Sequence, residues 1–98
     1  MELLKPFLND EMQLTALPAK RRKKLYALYY LAGKMETDRV YTESEINGLL
    51  GLWHTFHDPA TLRREMFNHC LINRSRDGKS YQVVHPLPVF EEWLQKYV

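Results

Sequence analysis

The sequence holds one cysteine, Cys70, so it cannot close an internal disulfide, which fits a reducing compartment. No apolar run approaches the roughly 20 residues needed to cross a bilayer. Met1 to Pro6 also lacks the continuous apolar stretch of a secretory leader, so a cytoplasmic protein with no membrane association is expected. No phosphate-cradling glycine loop, Ser-His-Asp ordering or paired-carboxylate cleft is visible, and there are no repeats or low-complexity tracts. With 98 residues, folding hides only about two-thirds of the unfolded chain's surface. That suffices for one core but not for a core plus a large buried cleft, so a non-enzymatic protein without cofactor or metal is expected. Hydrophobic residues at 45% and charged residues at 27% exclude a disordered or collagen-like chain.

Lys and Arg are missing altogether from residues 40–62, and the net charge of +2 conceals this unevenness. Residues 19–39 carry seven basic residues against two acids, and residues 63–85 carry five against two. Two basic blocks flanking an acidic one predict two positive patches, which meet if the chain folds back on itself.

Glu2 to Leu8 has the apolar spacing of a short helix ending at Asn9-Asp10, and Leu14, Leu17 and Pro18 lead on in extended form. A long helix is expected from Ala19 to Met35, with Leu25, Leu28, Tyr29, Ala32 and Met35 as its core stripe. Tyr26, Tyr30 and Leu31 widen that stripe until only a strip around Lys23, Ala27 and Lys34 stays polar. The extra cover must come from the chain ends or a second subunit. Arg39-Val40-Tyr41 fits a small edge strand. Thr42 and Glu45 form a capping box for a helix whose apolar face is Ile46, Leu49, Leu50 and Trp53. Asp58 caps and Pro59 starts a third helix running to His69. Asp77-Gly78 lies between two β-prone runs and predicts a tight hairpin, because both turn residues tolerate positive φ. Pro86 and Pro88 end its second strand, and Val89 to Val98 forms a last helix with Phe90, Trp93, Leu94 and Tyr97 on one side.

The order predicts an α+β, mainly helical fold, a winged helix-turn-helix in one domain over residues 1–98. Residues 1–18 form an N-terminal arm, 19–84 the winged-helix core and 85–98 a C-terminal helix. Leu17-Pro18-Ala19-Lys20, Leu25 to Met35, Tyr41-Thr42-Glu43 with Glu45 and Asn47, Leu62-Arg63-Arg64, and Leu71 to Tyr81 resemble the domain of unknown function 2087, over roughly residues 7–81. The resemblance implies a bacterial winged-helix domain, found alone or joined to transcription regulators, with no established activity. Two departures stand out. Cys70 occupies a position where the family usually has Gly, the residue suited to a left-handed helix end, so it implies a strained cap or another way of finishing the helix. Val84 to Val98 is additional.

On the third helix Leu62, Met66 and Cys70 share one arc, so Thr61, Arg64 and Asn68 point the other way. These three are candidates for a DNA groove, Arg64 for a guanine edge and Asn68 for an adenine edge. Arg74, Arg76 and Lys79 on the wing suit phosphates, and Lys20 and Arg21 head a basic run that offers a further anion contact. The alternatives are a polar hairpin tip that merely avoids aggregation for the wing and a solvated, fraying helix end for the basic run. Arg63 falls at the margin of the apolar arc, where a structural ion pair with Glu43 or Glu45 is expected. His54-x-x-His57-Asp58 is a weak metal pattern, and packing of Trp53 and Phe56 into the core is the preferred reading of that loop. Adjacent His69 and Cys70 diverge by about 100° on a helix, which disfavours a nucleophile-base pair. The expected partner is double-stranded DNA, bound by a homodimer acting in transcriptional regulation. The rival is a protein-interaction module that uses Tyr26, Tyr30, Phe90, Trp93, Leu94 and Tyr97 as its interface, with a protein partner at the C-terminal helix.

Overall fold

Thr42 belongs to two elements at once. In the computed structural model, which describes residues 2–97, it ends strand β1 (Tyr41–Thr42) and caps helix α2 (Glu43–Gly51). Its hydroxyl accepts the Glu45 N–H at 3.1 Å, and Glu45 Oε1 accepts the Thr42 N–H at 2.9 Å, the reciprocal box read from the sequence. Strand and helix are therefore joined without a loop, which fixes the direction in which α2 leaves the sheet.

Before them come a 3-10 helix (Glu2–Phe7) and helix α1 (Arg21–Ala32). After them come α3 (Pro59–Asn68), β2 (Ile72–Arg74), β3 (Ser80–Val83) and α4 (Phe90–Gln95). The three strands form one antiparallel sheet in the order β1-β3-β2, with Tyr41 opposite Tyr81 and Arg74 also opposite Tyr81. The fold is α+β and mainly helical, and helix α3 followed by a β2-β3 hairpin makes it winged-helix-like.

The core lies between α1, α2, α3 and the inner face of the sheet. Leu25, Leu28 and Leu31 meet Ile46, Leu50, Leu62 and Met66, all at most 1% exposed. Burial of each such side chain contributes about 1.5–3 kcal/mol relative to exposure.

Several boundaries differ from the sequence reading. Helix α1 starts at Arg21 rather than Ala19 and stops at Ala32, because Lys34 and Met35 donate to carbonyls only three residues back, the tighter spacing of a final turn. Ala27, expected on the polar strip, is fully buried. The N-terminal arm explains it: the arm packs on α1, and Phe7 lies under the Lys23 ammonium one turn before Ala27. That arm is held further by Leu14, whose N–H donates to the Trp53 carbonyl and whose carbonyl accepts from Thr55. Strand β1 excludes Arg39 and Val40, and Val40 is 59% exposed.

The hairpin turn is also longer than Asp-Gly alone. Ser75 pairs with Ser80, so the loop has four residues, Arg76 to Lys79. Only Gly78 takes positive φ, at 73°, while Asp77 does not. Asp77 acts instead through its carboxylate, which accepts from the Ser75 hydroxyl at 2.5 Å and the Lys79 N–H at 3.0 Å.

In the α2-α3 loop Trp53 and Phe56 pack half-buried against the core, as expected, and His54 goes deeper inside, 4% exposed. His54 Nδ1 lies 2.6 Å from the Leu50 carbonyl and must donate, which leaves Nε2 to accept the Asp58 N–H at 2.9 Å. Both ring nitrogens are committed to backbone, so this histidine is a structural bridge. No group of three His, Cys, Asp or Glu side chains comes together among the described residues.

The C-terminal helix folds back onto α1. Trp93 and Leu94, expected at an interface, are each 2% exposed inside their own chain. Trp93 Nε1 donates to the His69 carbonyl at 2.7 Å, and Phe90 packs 4.4 Å from the Tyr26 ring centre. Tyr30 is 7% exposed, and Tyr26, Phe90 and Tyr97 are half-buried. The chain end thus supplies the cover that α1 requires. Of the predicted helix, Val98 lies outside the described residues. No helix among the described residues is long and apolar enough to cross a membrane.

Candidate nucleic-acid interface

Helix α3 is fixed at both ends. Asp58 Oδ1 accepts the Thr61 N–H at 3.2 Å and Pro59 occupies the first turn, where its missing N–H costs nothing. Thr61, through hydroxyl and amide, holds the Asp58 carboxyl below its usual range. At the other end Leu71 N–H donates to the Met66 carbonyl at 2.9 Å and Cys70 N–H to the Phe67 carbonyl at 3.1 Å. This is a Schellman closure, and it puts Cys70 in the left-handed region at φ 62°. The cap is the strained one, and it turns the chain directly into β2.

With Leu62 and Met66 inside, Thr61 is half-buried and Arg64 and Asn68 are exposed. Arg64 Nη2 lies 3.4 Å from Thr61 Oγ1. Arg63 has a different role. Its guanidinium donates to Asn47 Oδ1, stands 3.7 Å from Glu43 Oε1 and covers the Tyr81 ring at 5.4 Å. It thereby clamps α3 to α2 and β3. Glu45 is not its partner: Glu45 is committed to the Thr42 cap and to Arg39, 3.6 Å away, and the Thr42 N–H chiefly holds its carboxyl low. Asn47 was missed as a partner of Arg63, although its i+4 spacing from Glu43 puts both on one face of α2.

Between α3 and the hairpin runs a groove of about 390 Å³. Arg63, Arg64 and Arg74 line it with Asn68, over a floor that includes Phe67 and Tyr81. Arg74 lies on β2 with its guanidinium carbon 4.7 Å from the Phe67 ring centre. Among the described residues, neither Arg64 nor Arg74 has a carboxylate within 4.0 Å, although Arg64 stands near enough to Asp58 to help hold its carboxyl low. Phe67 is 38% exposed, and nothing at the sequence level predicted that it would floor the site. Its i+3 relation to Arg64 was the available signal.

Arg76 and Lys79 project from the wing tip and are exposed. Asp77 lies between them in the chain with its carboxyl held low, chiefly by the Ser75 hydroxyl. Lys20 and Arg21 do not line the groove. Arg21 Nε donates to the Tyr97 carbonyl, and nearby Lys24 pairs with Glu65, which lies about 100° around α3 from Arg64. The two basic blocks therefore do not merge at the groove.

Helix α3 set against a cationic β-hairpin that supplies two strands of a three-stranded sheet defines a winged-helix-like protein. More particularly, the chain belongs to the family described as uncharacterized protein conserved in bacteria (DUF2087), which matches residues 13–83. That span holds the whole groove and leaves α4 outside. No curated protein and no solved structure matches the chain.

Proposed function

We propose that this protein binds double-stranded DNA through the α3-hairpin groove and acts, as a cytoplasmic homodimer without enzymatic activity, in transcriptional regulation. The observation that carries the reading is the convergence of Arg64, Asn68 and Arg74 on one groove, two of them guanidiniums without a carboxylate partner. Arg64 and Asn68 stand where a helix meets base edges, Arg suited to guanine and Asn to adenine. Arg74, Arg76 and Lys79 suit the flanking phosphates. The interaction-module reading loses its strongest anchors, because Trp93 and Leu94 are spent inside the chain.

Fluorescence anisotropy with a random-sequence duplex at low salt tests the proposal. Wild type binds, and Arg64→Ala weakens binding by about 1–3 kcal/mol with its helical content unchanged. No affinity in wild type, or unchanged affinity in both Arg64→Ala and Arg76→Ala, overturns it. Sedimentation equilibrium reads the dimer separately.

A further inference from the structure

A second concavity lies away from the arginine groove, where α1 meets α4. Tyr26, Tyr29 and Tyr30 from α1, Phe90 from α4, and Gly33 and Lys34 just after α1 surround a cleft of about 400 Å³. That volume falls in the range of small-molecule sites. Its walls are pre-set. Tyr29 donates its hydroxyl to the Pro88 carbonyl at 2.6 Å and Tyr30 donates to the Met12 carbonyl at 2.7 Å, which locks both rings. Tyr26 and Tyr29 lean on Phe90 with ring centres 4.4 and 5.0 Å away. Gly33 contributes no side chain to fill the space between them.

Lys34 is the one charged residue of this lining. Its ammonium stands 4.2 Å from the Trp53 ring centre and 4.7 Å from that of Tyr30, half-buried, with no carboxylate within 4.0 Å among the described residues. Burial pushes the Tyr30 phenol above its usual range, so no phenolate neutralises the lysine. Two π faces hold the cation in place, but they carry no formal charge to balance it. The cleft thus offers aromatic walls for a flat ring and one unbalanced positive charge at its edge.

We propose that this cleft binds a small planar aromatic carboxylate, its ring against the Tyr26, Tyr29 and Phe90 walls and its carboxylate on Lys34. A phosphate ester fits less well, since it needs several donors and the Tyr29 and Tyr30 hydroxyls are already committed. The site is separate from the arginine groove, so the proposal stands or falls without DNA in the assay.

Titration of the full chain with benzoate, salicylate and indole-3-acetate, followed by calorimetry and amide chemical shifts, tests it. At least one acid saturates, with shifts centred on Gly33, Lys34 and the Trp53 indole N–H. Benzamide and indole-3-acetamide bind at least tenfold more weakly than the acids. Lys34→Met costs at least tenfold in affinity, while Lys34→Arg retains binding and shows that charge, not folding, is at issue. Failure of every acid to saturate, equal binding of the amides, or full affinity in Lys34→Met overturns the proposal. So do Gly33 and Lys34 shifts that depend on protein concentration and that none of the acids reverses, which would assign the cleft to a second copy of the chain.

Discussion

The Arg74 guanidinium on β2 lies 4.7 Å from the centre of the Phe67 ring on α3, a contact between wing and helix that adds to the one Arg63 makes with Tyr81. Both side chains are exposed enough for water to weaken the attraction, so its contribution should be about 0.5–1 kcal/mol. A double-mutant cycle of Phe67→Leu and Arg74→Gln, followed by urea unfolding, is expected to return a coupling of that size. Strict additivity would show that this contact contributes nothing to holding the wing against the helix.

The proposed DNA contact distinguishes Arg74 in the groove and Arg76 and Lys79 at the adjoining wing tip from Lys20 and Arg21 at the start of α1. Alanine at Arg74, Arg76 or Lys79 should each lower the slope of log affinity against log salt by about 0.9. Alanine at Lys20 or Arg21 should leave that slope unchanged, since Arg21 is bonded to the Tyr97 carbonyl and neither residue lines the groove. Anisotropy titrations over a range of salt concentrations measure both.

Cys70 holds a left-handed conformation at φ 62°, which costs a residue with a Cβ about 1–2 kcal/mol. Glycine removes that strain but gives back part of the gain through its freer unfolded chain, about 0.4–1 kcal/mol. Cys70→Gly is therefore expected to stabilise the protein by about 0.5–1 kcal/mol in urea unfolding. The contact between the Cys70 thiol and Tyr97, which raises the Tyr97 pKa, is lost in the exchange and works against the gain. A destabilised variant would mean that this contact outweighs the backbone strain.

Acid should weaken the fold through named carboxylates. The Lys24 ammonium holds Glu65 below its ordinary value of 4.5, and Thr61 holds Asp58 below its ordinary 3.8. Each binds a proton less readily in the folded state than in the unfolded one, so its contribution is complete above the unfolded value and disappears as pH falls through the folded one. Urea midpoints should hold level from about pH 7 to about pH 5 as far as these groups are concerned, then decline below about pH 4.5. Glu65→Gln should flatten part of that decline, and an unchanged profile would remove the Lys24 pair from the account.

The local chemistry of Thr42-Glu45, Asp58-Pro59 and Gly78 made much of the framework legible. Arg64 and Asn68 were legible too, because the opposite face of a helix follows once Leu62 and Met66 are assigned to the core. Arg63 was legible as a structural residue from its marginal position, but its bond to Asn47 required the crossing of α2 and α3. The interior place of His54 was not legible, since a loop histidine shows its two backbone partners only when the loop is closed.

The amino-acid order alone determined which segments are helix, strand and turn, because caps, prolines and apolar spacing act over about four residues or fewer. Tertiary structure decided which charges are free and which aromatics are spent. Glu65 finds Lys24 across two helices, Tyr29 meets Pro88 from 59 positions away, and Trp93 reaches the His69 carbonyl from 24. Ion pairing and burial depend on neighbours in space, and residues so far apart along the chain become neighbours only when α1, α3 and α4 pack together.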